Sequence, residues 1–211
     1  MYAALKRGLD IAGALALLIL LCPLMIGVAA LLKAAPGHRV LFCQRRAGRY
    51  GRPFVIFKFC TMYADTPPTV AFRDLPDADR CITPIGRWLR RFSVDELPQL
   101  WNILRGDMSF IGPRPVVFSE TALLRERARL GADACRPGLT GLSQVKGRAT
   151  LGWREKARYD ALYARHMGWR LDGWILLRTV PCLLRSPAET PPFSPRKSLD
   201  KIGRGGYTLQ G

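Results

Sequence analysis

Two adjacent carboxylates, Asp95 and Glu96, lie in the run Ser93-Val94-Asp95-Glu96-Leu97-Pro98-Gln99. That run continues through Trp101-Asn102-Ile103-Leu104-Arg105-Gly106-Asp107-Met108-Ser109 to the turn Gly112-Pro113-Arg114-Pro115. A carboxylate can attack phosphorus to give an acyl phosphate, which divides one group transfer into two steps. Its neighbour can bind a metal or orient the reacting groups. Arg114, held between two prolines, has little backbone freedom left to lose, and a guanidinium so fixed suits bidentate phosphate recognition. The same residues also fit a plainer reading. Ser93-x-x-Glu96 matches a capping box, Asp95 favours the dipole of a helix start, and Arg114 is a surface residue of a proline turn. On these few positions alone the plainer reading is the stronger.

The surrounding pattern shows what must position them. Val40 to Gln44 and Pro53 to Phe59 read as a β-hairpin around Gly48-Arg49-Tyr50-Gly51, with Lys58 pointing away from Phe57 and Phe59. Residues 65 to 80 form a polar, proline-containing loop. Thr83-Pro84 opens a helix over Ile85 to Arg91. A second helix starts near Ser93 or Leu97 and closes at Gly106. Val116 to Leu130 and Trp153 to Met167 read as helices. Between them, Arg136 to Arg148 reads as a glycine-containing loop, in which backbone N–H groups with Lys146 or Arg148 could cradle an anion. Trp169 to Arg185 mixes tryptophan, leucine and arginine, which fits a helix in a membrane interface or an ordinary core helix. From Ser186 onward the composition suggests a mobile tail.

Ile11 to Leu32 contains no charged residue, and its 22 residues would reach about 33 Å as a straight helix, enough to cross a bilayer. Pro23, after Cys22, sits near the middle, removes its own N–H and crowds the Ile19 carbonyl, so a kink or break is expected there. Lys6 and Arg7 precede the run, while Lys33, Arg39, Arg45, Arg46, Arg49 and Arg52 follow it. The positive-inside rule then places both ends on the cytoplasmic side, which favours a re-entrant helix-break-helix over a kinked spanning helix. A cleaved signal peptide fits less well, because the apolar run is too long.

Lys and Arg number 33 against 16 Asp and Glu, a formal net charge of +17. Such an excess points to anionic partners: lipid headgroups, phosphorylated small molecules or nucleic acid. No nucleic-acid-binding motif accompanies it, so nucleic acid is the weakest of the three. Six scattered cysteines lack metal-site spacing and fit unpaired thiols in a reducing compartment.

Taken together, these segments resemble the monotopic phosphoglycosyl transferases of the bacterial sugar transferase family. The likeness runs from Lys6-Arg7-x-x-Asp10 through the proline-broken helix and Lys58-Phe59-Cys60-Thr61-Met62 to Ile85-Gly86-Arg87-Trp88-Leu89-Arg90-Arg91. It continues through Ser93 to Pro115 and Arg136 to Arg148. The block Asp-Glu-Leu-Pro-Gln-Leu-x-Asn followed by Gly-Pro-Arg-Pro is its most specific part.

The resemblance implies an α+β, mostly α fold: a re-entrant anchor over 1–36, a catalytic domain over 37–185 and a basic tail over 186–211. It implies transfer of a sugar-1-phosphate from a UDP-sugar to undecaprenyl phosphate with release of UMP, and a requirement for Mg²⁺. Asp95 matches the aspartyl nucleophile and Glu96 its dyad partner, both also metal ligands. Lys58, Arg87, Arg90, Arg114, Gln144 and Arg148 match positions for substrate binding. The implied location is the bacterial inner membrane, with the catalytic domain on the cytoplasmic face and anionic lipids beneath it. A homodimer and downstream glycosyltransferases stay open as partners. Two departures stand out, since Cys60 replaces a usual arginine and Cys22 a usual serine before Pro23. A non-catalytic scaffold of glycan assembly is the alternative reading.

Overall fold

The computed structural model describes residues 2–34, 39–63, 66, 80–147 and 150–184. The expected polar loop, apart from Thr66 and Arg80, lies outside these residues, as do Arg148 and the tail from 186. An N-terminal helix, α1 (Tyr2–Ala34), precedes an antiparallel hairpin of β1 (Leu41–Ala47) and β2 (Pro53–Phe59). Then come α2 (Pro84–Arg91), a 3₁₀ turn over Val94–Glu96, and α3 (Gln99–Arg105). A short parallel pair joins β3 (Ser109–Ile111) to β4 (Gly138–Thr140), with α4 (Thr121–Leu130) between them in sequence. Helices α5 (Leu142–Gly147), α6 (Trp153–His166) and α7 (Trp169–Leu184) complete the described chain.

Several local expectations are met for the physical reasons that prompted them. The Thr83 hydroxyl accepts from Gly86 N–H at 2.9 Å and Pro84 occupies the first helical position, so α2 starts where the sequence placed it. Gly106, with φ of 91°, closes α3 in the left-handed conformation that favours glycine. Three segments are corrected. The helix expected from Val116 starts at Thr121, because Val116 bridges Ala47 at the end of the hairpin. Arg136 to Gly147 is not a loop but contains β4 and α5, and the N–H groups of Gly138, Gln144 and Val145 are committed to backbone carbonyls. The segment at Cys22-Pro23 does not break: α1 stays helical through Pro23. Proline's φ is compatible with a helix, and its missing N–H removes a single hydrogen bond, so the turn tolerates it.

Both ends of α1 pack on the folded body. Ala14, with Leu17 and Leu18, joins a core made by Ile56, Leu100, Ile103 and Met108. Val28 and Leu32, with Met25 and Ala29, join a second core made by Phe59, Leu89 and Val94. Between them Ile19 and Leu20 are exposed by 69% and 71%, and Leu5, Leu9, Leu15, Ile26 and Leu31 are exposed too, so an apolar face is bare along the helix. Polar contacts fix the start of α1. Arg7 donates to the carbonyls of Ile103 (2.6 Å) and Leu104 (2.9 Å) at the end of α3, where the helix dipole favours a cation. Asp10 Oδ1 accepts from Ser109 Oγ and from Phe110 N–H, both at 3.1 Å.

Asn102 joins the hairpin to α3. It is fully buried; its Nδ2 donates to Val55 O at 2.6 Å and its Oδ1 accepts from Phe57 N–H at 3.1 Å. Those bonds satisfy the edge of β2 on either side of Ile56, next to Lys58. Asn102→Ala leaves a buried donor and acceptor unpaired and is expected to destabilise the fold by roughly 2–4 kcal/mol. Thermal unfolding in detergent checks this: Tm drops clearly for Asn102→Ala and hardly at all for Trp101→Ala at the exposed neighbouring position.

Candidate active site

The local fold around Asp95 and Glu96 departs from a helix cap. Ser93 takes a left-handed conformation (φ 55°, ψ 22°) and its side chain caps nothing, so the expected capping box is absent. A non-glycine residue held there is uncommon and costs of order 1 kcal/mol or more. The pair instead lies within a 3₁₀ turn over Val94–Glu96, ahead of α3, which begins at Gln99. Glu96 Oε1 accepts from Lys58 Nζ at 2.6 Å and from Arg114 Nη2 at 3.2 Å. Asp95 is 8% exposed.

Each cation is placed by a different device. Lys58 lies near the end of β2, which Asn102 fixes. Arg114 sits in the proline turn, whose backbone is held three times. Gly138 N–H donates to Pro113 O at 2.9 Å, Arg127 Nη1 donates to Arg114 O at 2.9 Å, and Arg46 Nη1 reaches Pro115 O at 3.5 Å. Gly112 permits the first of these contacts, since a Cβ there would collide with Arg136 O and crowd Gly138 N at 3.0 Å. Arg127 is buried with Asp160, which accepts its Nε at 2.8 Å and also accepts from Ser143 Oγ at 2.8 Å. Arg127 and Asp160 therefore position Arg114 from behind. Nothing in the sequence flagged them, because they lie 33 residues apart on two ordinary-looking amphipathic helices.

Of the other expected residues, Arg90 donates from Nε to Thr61 Oγ1 at 2.8 Å and contributes a positive field at Asp95. Arg87 is exposed on α2 and makes no ion pair among the described residues. Gln144 lies on α5 and donates to Leu139 O at 3.2 Å, with no hydrogen bond to the Asp95–Glu96 group among the described residues. The Cys60 thiol reaches Met62 O at 3.4 Å, leaving the Lys58–Glu96–Arg114 cluster intact.

Environment drives the two carboxylates apart. Burial first, then the Glu96 charge, pushes the Asp95 carboxyl up to about 6, against the pull of Lys58, Arg90 and Arg114. Burial would raise Glu96 as well, but the Lys58 and Arg114 charges and hydrogen bonds outweigh it and hold that carboxyl down to about 2. One carboxylate is thus firmly ionised and paired, while the other is left short of positive charge. Among the described residues no three His, Cys, Asp or Glu side chains form a metal cage. Mg²⁺ needs less, since it is commonly bound by one or two carboxylates together with substrate phosphates and waters. Two adjacent carboxylates, one of them undercompensated, fit that mode.

The model of the family described as bacterial sugar transferase matches residues 1–186. The chain belongs to the bacterial sugar transferase family. Its relatives include the exopolysaccharide production protein ExoY of Rhizobium meliloti, 38% identical over 85% of this chain and 86% of that protein. An undecaprenyl-phosphate glucose phosphotransferase of Komagataeibacter xylinus is 43% identical over 83% of this chain but 35% of its own length. A UDP-glucose:undecaprenyl-phosphate glucose-1-phosphate transferase of Caulobacter vibrioides is 41% identical over 85% of this chain and 69% of its own. As a member of this family the chain is a transferase, and the carboxylate cluster lies inside the matched region.

Opposite pKa displacements give opposite stability signs. Asp95, raised, favours the folded state below about pH 4 and loses that contribution as pH rises through about 6. Glu96, lowered, contributes above its ordinary value and loses that as pH falls toward about 2. At pH 8 without divalent metal, Asp95→Asn is therefore expected to stabilise the fold by about 1–2 kcal/mol. Glu96→Gln is expected to destabilise it, because Lys58 and Arg114 lose their counter-charge. Thermal unfolding of the two variants in EDTA checks the signs; equal shifts in one direction contradict them.

Proposed function

We propose that the protein transfers a sugar-1-phosphate from a UDP-sugar to undecaprenyl phosphate through a covalent intermediate on Asp95. The observation that carries this is the pair itself: a buried, undercompensated Asp95 beside a Glu96 fixed by Lys58 and Arg114. An Asp95 oxygen attacks the sugar-bearing phosphorus, forming an acyl-phosphate bond as the bond to the UMP oxygen breaks. An oxygen of undecaprenyl phosphate then attacks the same phosphorus. The Asp95–phosphorus bond breaks, the carboxylate is regenerated and a sugar-diphosphate lipid is formed. Lys58 and Arg114 bind and orient phosphate oxygens, and Arg90 supports the anionic site from Thr61. Mg²⁺, held by Asp95 and Glu96 with the substrate phosphates, would supply charge neutralisation at the transferring group. The activities of the Komagataeibacter and Caulobacter relatives support the overall transfer to undecaprenyl phosphate.

The same proposal places the enzyme on the cytoplasmic face of the bacterial inner membrane, with α1 entering and leaving the bilayer on one side. What supports it is that residues 14–18 and 25–32 of α1 both dock on one folded body, while the apolar residues between them are bare. A helix crossing the bilayer would carry its two ends to opposite sides. A bend at Pro23, where one helical hydrogen bond is missing, would be enough for re-entry. Helix α7 offers a second apolar surface, with Trp169 70%, Leu177 76% and Val180 60% exposed beside Arg170 and Arg178. Tryptophan and arginine together suit the headgroup layer.

Incubation with radiolabelled UDP-sugars, Mg²⁺ and undecaprenyl phosphate tests the reaction. Label passes into lipid with the wild type and not with Asp95→Asn; full activity of Asp95→Asn rules out the assigned nucleophile. Topology is checked separately in a variant without native cysteines. Ala4→Cys and Gly152→Cys should label from the same side of sealed vesicles, and labelling from opposite sides contradicts re-entry.

A further inference from the structure

Beside the carboxylates lies a narrow cleft walled by Arg46, Lys58, Gln99 and Arg114, with Ile56 and Pro115 as its apolar sides. Its free space takes about one oxygen-sized sphere. Two of its polar walls carry unmet donors. Gln99 is 2% exposed, and its Nε2 has no partner. Arg46 Nε is likewise buried without one, and its Nη1 makes only the long contact with Pro115 O. Native folds rarely leave buried donors unpaired, so such groups mark a place where something else accepts.

The charge balance says what that acceptor is. Glu96 Oε1 is already shared by Lys58 and Arg114, and no ion pair joins Arg46 to a carboxylate among the described residues. Burial, then repulsion from Arg114, pulls the Arg46 guanidinium down to about 10, against weaker support from Glu120 and Glu96. Three cations and an amide N–H₂ converging on a space for one oxygen describe a subsite for a phosphate oxygen.

Position separates this phosphate from the one under attack. Lys58 and Arg114 border both the dyad and the cleft, whereas neither Asp95 nor Glu96 lines the cleft. A phosphate reaching into it touches the same cations as the reacting group without touching the nucleophile. In an in-line displacement the leaving oxygen lies away from the nucleophile, and the group that leaves carries the second phosphate. Resting on the function proposed above, we infer that Arg46 and Gln99 hold a non-bridging oxygen of the nucleotide's departing phosphate. They stabilise its charge as the bond to the sugar-bearing phosphorus breaks, and they do so without contacting Asp95. Arg46 comes from β1 and Gln99 from the first position of α3, so hairpin and helix must be joined for the subsite to exist.

The test uses the full chain in detergent with Gln99→Met, Arg46→Met and Arg46→Lys, the last keeping the charge while removing Nε if the methionine variant fails to fold. UMP and uridine affinities are measured by titration, and kcat/KM is measured for the UDP-sugar and for undecaprenyl phosphate. The expected result is a loss of UMP affinity of about tenfold or more in Gln99→Met and Arg46→Met, and a smaller loss in Arg46→Lys. Uridine affinity and the kcat/KM for undecaprenyl phosphate, which reports the second half-reaction alone, should stay unchanged. Unaltered UMP affinity overturns the inference and leaves the cleft to a buried water. Equal loss for UMP and uridine, or a change confined to undecaprenyl phosphate, overturns it too. A wild type that neither binds UMP nor transfers sugar-phosphate defeats the proposed function itself, and the subsite with it.

Discussion

One carboxylate oxygen, Glu96 Oε1, accepts from Lys58 at 2.6 Å and from Arg114 at 3.2 Å, and thereby ties the hairpin, the 3₁₀ turn and the proline turn together. Such a cluster is weak evidence for stability, because desolvating three charges offsets most of their attraction. Its consequence is chemical. Lys58 and Arg114 are drawn to Glu96 at the hydrogen-bonding level, which leaves Asp95 buried beside a fixed negative charge and displaced upward. The pair therefore differs in protonation behaviour although its members are adjacent in sequence. A firmly ionised partner and a carboxylate that gains from an arriving cation or phosphate-bound metal suit the stepwise phosphoryl transfer proposed above.

The rest of the molecule can be understood as keeping that arrangement in register. Asn102 bonds the backbone on both sides of Ile56 and so places Lys58; the Arg127–Asp160 pair and the Gly112–Gly138 approach place Arg114. Helix α1 is part of the same body rather than an appendage. Arg7 closes the end of α3, Asp10 holds Ser109 and Phe110, and apolar residues from its centre and its C-terminal part complete two separate cores. These contacts make α1 and the carboxylate cluster one unit inside the family's matched region, and they leave an apolar face of α1 bare.

Much of this was legible in the chain, and the failures are informative. The hairpin, the Thr83-Pro84 start and the Gly106 stop rest on local chemistry, so the sequence located them closely. The capping box failed because Ser93-x-x-Glu96 satisfies a local pattern whose acidic member is claimed by Lys58, 38 residues away. Strand β4 and helix α5 were hidden because three strand residues and six helical ones leave too short a period to detect. Asn102 stood in the recognised motif without an evident role until β2 was seen against it. Gln99 stood in the same motif and Arg46 only among the flanking cations, while Arg127 and Asp160 carry no sequence signal; the meaning of all four depends on partners brought together only by folding.

The central claim is that Asp95 becomes covalently bonded to the phosphosugar before the lipid arrives. Rapid mixing of stoichiometric enzyme with UDP-sugar and Mg²⁺, without undecaprenyl phosphate, followed by intact-mass spectrometry, tests it most directly. The account predicts a burst of about one UMP per enzyme, with a sugar-phosphate mass added to the wild type and absent from Asp95→Asn. UMP release that occurs only when undecaprenyl phosphate is present, with no adduct on an active enzyme, would contradict it.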